Sequence, residues 1–143
     1  MYSETITLFN RYHSRQGDIW FPHILHNVDL VVDKASVMQK YGAETTDKAI
    51  LHIKYDENVN IQGMPYLTSK EWNKLTNDEL KNYITFNSDS NYFDFFILGE
   101  YEGSEPITDS NFFEKMEEDT ECYAITSVSS PYKVIKHFEI MAK

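Results

Sequence analysis

Five histidines, a dense set of carboxylates and a single cysteine are the residues of this chain with the means to do chemistry. His23 and His26 stand three apart, a ligand spacing on a helix. Pro22, Ile24, Leu25 and Val28 around them favour a strand instead, where residues i and i+3 point to opposite sides. His13, His52 and His137 are isolated in sequence and are read as ordinary polar positions, with His137 facing solvent or a neighbouring subunit. Glycosidase chemistry needs two carboxyl groups held across a cleft, one with a raised pKa, and a run of loop acids offers no such asymmetry. Asp89-Ser90-Asn91 followed by Asp94 is too loose a match to a calcium loop. Cys122 allows no internal disulfide, and Glu121 beside it disfavours a reactive thiolate. There is no phosphate-binding loop, dinucleotide fingerprint or nucleophile elbow. The expectation is a protein with no catalytic residues, no metal and no cofactor, and not an enzyme.

The elements that would position these residues are mostly strands. Cys122 to Met141 has the pattern of a hairpin: Tyr123, Ile125 and Ser127 alternate with Ala124, Thr126 and Val128. After Ser129-Ser130-Pro131, Val134, Lys136, Phe138 and Ile140 alternate with Ile135, His137, Glu139 and Met141. Ser3 to Tyr12 alternates in the same way, and His13 to Asp18 is turn-like with Gly17 placed for an unusual φ. Trp20 to Leu25 and Val28 to Asp33 are predicted as strands separated by a kink or bulge at Asn27, with Pro22 belonging on an edge. Lys48 to Tyr55 places Ala49, Leu51, Ile53 and Tyr55 on one face and Ile50, His52 and Lys54 on the other.

Thr68-Ser69-Lys70-Glu71 fits a capping box that opens a short helix through Trp72. Tyr83 to Phe86 and Tyr92 to Leu98 are predicted as strands. The second is apolar on both faces, so it needs cover on both, from its own core or from another subunit. Thr108 or Asp109 is expected to cap a short helix from Ser110 to about Glu118, with Phe112, Phe113 and Met116 buried. The sum is one domain over 1–143, mainly β (α+β): a small antiparallel β-barrel or sandwich with two or three short helices.

Aromatic residues make up 15% of the chain, which suits strands. Uncharged apolar runs fall far short of the roughly 20 residues of a membrane helix, and Met1-Tyr2-Ser3-Glu4 lacks the start of a signal peptide. The net charge is −10, and the stretch from Asp89 to Glu121 carries all of it, with eleven acids against one base, Lys115. Specific nucleic-acid binding needs the opposite sign, whereas a solvated acidic face or a wall past which DNA slides is compatible.

Three stretches together resemble a known family: Ile6-Thr7-Leu8-Phe9-Asn10-Arg11-Tyr12, Tyr66-Leu67-Thr68-Ser69-Lys70-Glu71-Trp72, and Ala124-Ile125-Thr126-Ser127-Val128 with His137-Phe138-Glu139-Ile140. The pattern is similar to small structural proteins of tailed phages and prophages of Gram-positive hosts, and in element order to head-closure proteins, the stoppers or head-to-tail connectors. The resemblance implies a virion neck protein, made in the host cytoplasm and assembled as a homo-oligomeric ring, hexamer or dodecamer. Its partners would be the portal and adaptor above and the tail terminator or tail tube below. DNA would pass through the lumen without specific binding, and no membrane is involved.

In such stoppers a long loop between early barrel strands projects into the channel. The matching residues here are Lys34, Val37, Met38, Lys40, Tyr41, Glu44 and Asp47. Lys136, His137 and Glu139 on the closing hairpin are the candidate inter-subunit edge. A tail terminator or tail-completion protein is the nearest alternative. From another class comes a soluble ligand-binding barrel that stacks a sugar on exposed Trp20, Tyr66 and Trp72, and a metal-assisted hydrolase built on the histidines and acids is a third.

Overall fold

The computed structural model describes residues 2–32, 49–129 and 131–143. Six strands close an antiparallel barrel: β1 (Glu4–Ser14), β2 (Gly17–Val32), β3 (Ala49–Lys54), β6 (Phe95–Leu98), β7 (Cys122–Val128) and β8 (His137–Ala142), in the cyclic order β1-β2-β3-β8-β7-β6. Between β3 and β6 lie a two-stranded ribbon, β4 (Asn60–Ile61) and β5 (Met64–Pro65), the short helix α1 (Ser69–Trp72) and a 3-10 turn, Leu80–Asn82. A second helix, α2 (Phe112–Asp119), connects β6 to β7. The mainly β, barrel-with-short-helices expectation holds, and the sandwich alternative does not.

Period-two patterning explains the strands that hold. On β3, Ala49, Leu51 and Ile53 are buried in the barrel while His52 and Lys54 point out; on β8, Phe138, Ile140 and Ala142 point in and His137 and Glu139 out. β2 is one continuous strand of 16 residues. Asn27, with φ at 54°, is its bulge, and there the pairing with β1 shifts between Glu4↔Val28 and Ile6↔Leu25. Pro22 lies where β2 pairs only with β1, so its missing N–H costs no ladder bond on the other side. Arg15 and Gln16 turn the β1–β2 hairpin, and Gly17 closes it at φ +119°, where a side chain would also crowd Ser110 Oγ at 3.0 Å.

Three apolar clusters stabilise this arrangement. The barrel interior holds Ile6, Leu8, Leu25, Leu51, Ile53, Phe96, Ile125, Phe138 and Ile140. A second cluster lies outside the barrel, where Phe9, Trp20, Phe95, Ile97 and Cys122 are covered by Phe112, Phe113 and Met116 of α2. The strand that is apolar on both faces is thus covered on both by its own chain. A third cluster packs Phe21 against Trp72 and Leu80, beneath α1. Helix α1 has the predicted capping box: Glu71 N donates to Thr68 Oγ1 and Thr68 N to Glu71 Oε1.

Four expectations are corrected. The closing hairpin is shorter than its alternation suggests, because residues 133–136 form a turn and leave Val134 and Ile135 in solvent. Tyr83 to Phe86 is not a strand; Ile84 makes only an isolated bridge to Tyr66. The N-cap of α2 is Asn111, without a side-chain bond, although Asp109 Oδ1 accepts from Asn111 N just before it. Finally, β8 has no free edge, since it pairs with β3 along one side and β7 along the other. The edge role given to Lys136, His137 and Glu139 therefore fails as strand addition, and any contact there must be made by side chains. The channel-loop residues Lys34, Val37, Met38, Lys40, Tyr41, Glu44 and Asp47 lie outside the described residues.

Candidate functional site

Barrel registry assembles residues that sequence reading treated as isolated. Directly paired residues on neighbouring antiparallel strands point to the same face and lie about 4.5–5.5 Å apart at Cβ. On the outer face of β2, β3 and β8, pairing produces a row Val31–Ile50–Met141, beside it a row Asp29–His52–Glu139, and then the pair Lys54–His137. Val31 is 51% exposed. An apolar stripe thus runs beside a polar one on the same wall.

Within the polar stripe, His52, His137 and Glu139 each place one ligating atom within 4.8 Å of the others. The rings of His52 and His137 have centroids 5.5 Å apart, and Tyr132 stacks on His137 at 4.7 Å. His137 Nδ1 lies 2.6 Å from the carbonyl oxygen of Ile135. A carbonyl only accepts, so Nδ1 carries the hydrogen and Nε2 is left with the free lone pair. Lys54 is drawn aside, its ammonium 4.2 Å over the ring of Tyr2. The sequence signal for this cluster was a His and a His-x-Glu on the outward phase of two strands, which gains meaning only once those strands are known to be neighbours.

The opposite side of the barrel differs. In the closed order, β3 and β8 face β6 and β1 across the interior, and the outer face of β1 and β6 is covered by residues 99–121 with α2. Glu100, Glu102, Glu105, Glu114, Glu117, Glu118, Asp119 and Glu121 are exposed there, and Asp109 is held to Lys115 at 2.7 Å. Of the acids counted in the negative segment, Asp94 alone is fully buried. Its Oδ1 accepts from Arg11 N (2.8 Å), and its Oδ2 from Asn10 Nδ2 (2.8 Å) and Asn87 N (2.9 Å). Asn10 also donates to Thr85 O at 2.7 Å and accepts from Thr85 N. This buried hub ties β1 to the segments before and at the start of β6. Burial pushes the Asp94 carboxyl up to about 7 against the pull of these donors.

The remaining predicted positions are dispersed. His23 is buried opposite Leu8, and desolvation lowers its pKa to about 4, whereas His26 is exposed and within 3.2 Å of Thr5 Oγ1. The two do not converge. His13 lies 2.7 Å from Asp18. Cys122 is buried at the start of β7. The exposed-aromatic basis for a sugar-binding barrel is overturned at two of its three residues: Trp20 and Trp72 are 0% and 1% exposed, the latter with Nε1 donating to Leu80 O. Tyr66 is half-buried, its ring tilted against those of Phe86 and Phe138. Among the described residues, no helix is long and apolar enough to cross a membrane.

No curated protein and no solved structure matches the chain. The model of a family of unknown function, DUF6751, matches residues 1–143, and the chain belongs to that family.

Proposed function

We propose that this protein is a non-enzymatic structural component of a tailed-phage virion neck, a homo-oligomeric ring that joins head to tail and lets DNA pass. The resemblance in the three sequence stretches supports this, as does a closed barrel with short helical additions, the protomer form that the resemblance implies. The observation that carries the reading is the unlikeness of opposite walls. One wall bears the apolar row Val31–Ile50–Met141 beside the polar row Asp29–His52–Glu139 and the pair Lys54–His137; the other bears the acidic layer around α2. A ring needs a heterologous contact, one surface of each copy against a different surface of the next. Here the wall that bears the apolar row would meet the acidic one. Because the barrel has no free edge, that contact uses side chains and not strand addition.

The portal and adaptor above and the tail terminator or tube below are the proposed neighbours. Val31→Lys and Lys136→Asp alter exposed positions and are expected to shift folding stability by less than about 0.5 kcal/mol. Both should nevertheless weaken assembly onto the portal–adaptor complex, as read by mass photometry and negative-stain microscopy. Neck complexes isolated from virions that lack this chain would overturn the reading.

A further inference from the structure

The geometry points to a divalent transition-metal site of the zinc class on the outer wall, with His52, His137 and Glu139 as ligands. The proposal stands on the folded chain alone and does not depend on ring assembly. Two imidazoles and one carboxylate are a donor set that zinc takes when three protein ligands leave a further position open. Hard cations such as magnesium and calcium prefer all-oxygen shells, so this set discriminates against them.

Three features favour a site over chance proximity. First, the donors come from two adjacent strands of a closed barrel, so the registry His52↔Glu139 and Lys54↔His137 fixes their backbones before any ion arrives. Second, the 4.8 Å limit on donor separation needs only side-chain adjustment to reach the roughly 3.3 Å between donors around a tetrahedral zinc ion with bonds of about 2.0–2.1 Å. Third, His137 already has its Nδ1–H on the Ile135 carbonyl, the outer hydrogen bond that orients a metal-binding imidazole and leaves Nε2 to coordinate. Across β3 from Glu139, Asp29 adds a second negative group beside His52, and the ammonium of Lys54, the residue paired with His137, lies over Tyr2. All three ligand residues are half-buried, so an ion has access from solvent.

Chelator-stripped protein titrated with zinc chloride by calorimetry, and with cobalt chloride by visible absorption, tests the site. One ion per chain is expected, with no response to magnesium. His52→Gln, His137→Gln and Glu139→Gln should each weaken zinc binding by about tenfold or more, with circular dichroism unchanged. His13→Gln, at the other histidine–carboxylate pair, should leave it intact. In the wild-type protein, the imidazole NMR signals of His52 and His137 should move on zinc addition while those of His23 stay, a readout independent of any variant. Wild-type signals that stay in place, or binding that survives His52→Gln combined with His137→Gln, would overturn the proposal.

Discussion

Asp94→Ala is expected to destabilise the protein by roughly 3–5 kcal/mol, a large share of the total stability of a domain this size. The side chain is fully buried and satisfies three N–H donors: two backbone groups, Arg11 N and Asn87 N, and the amide of Asn10. Removing the acceptor strands one buried and two part-buried donors at about 1–3 kcal/mol each, partly relieved because Asn10 keeps its bond to Thr85 O. Asp94→Asn should be milder. With its oxygen toward Asn10 and Asn87 it keeps two of the three bonds, although its NH2 then faces the Arg11 N–H, donor against donor. Urea unfolding measures both, and an alanine variant within about 1 kcal/mol of wild type would show that the hub is not stabilising.

The same carboxylate and His23 set opposing pH dependences. Asp94 rises from 3.8 to about 7 on folding, so its contribution is full below pH 3.8 and is lost as pH climbs through 7, on the order of 4 kcal/mol over that window. His23 falls from 6.5 to about 4, so its contribution is full above pH 6.5 and is lost as pH drops toward 4, on the order of 3 kcal/mol. Between pH 4 and 6.5 the two nearly cancel, and removing either exposes the other. In Asp94→Asn, stability should rise with pH relative to wild type; in His23→Gln it should fall. The other acids are common to all three proteins and drop out of the comparison. Unfolding profiles that run parallel across this window would sink the assignment.

Residues with a one-faced pattern were legible. The alternation in β1, β3 and β8, the capping box at Thr68 and the bulge at Asn27 are local signals, and the structure follows them. Features that depend on closure were not. Nothing near β8 announces that β6 returns to pair with β1, and it is that return which removes the sheet's edges. Val134 and Ile135 continue a strand pattern into a turn, because alternation alone does not show where pairing stops. Trp20 looked available because its cover, the layer carrying Ile107 and Phe112, comes from a distant acidic stretch. Asn10 and Asp94 lie 84 residues apart, and His52 is far from His137, so each constellation exists only through strand registry.

Phe95→Ala should cost about 3–5 kcal/mol, the range for emptying a buried aromatic site. Its ring is fully buried at the centre of the cluster outside the barrel: stacked on Phe9 at 4.8 Å, edge-on to Trp20 at 5.0 Å and to Phe113 at 4.9 Å. Each such pair contributes beyond its buried area, and together they fasten α2 to β1 and β6. That attachment matters because α2 has little stability of its own. Its N-cap makes no side-chain bond, and Glu117, Glu118 and Asp119 put negative charge at the end where the helix dipole is already negative. With Phe95 truncated, α2 and the acidic layer should loosen before the barrel opens. Hydrogen exchange would then show protection lost over 107–120 while β3 and β8 keep theirs. Phe113→Ala, at a half-buried position in the same cluster, should cost clearly less. Equal losses at the two sites, or a uniform rise in exchange across all strands, would mean that the cluster is part of one indivisible core and not a separate fastening for the acidic wall.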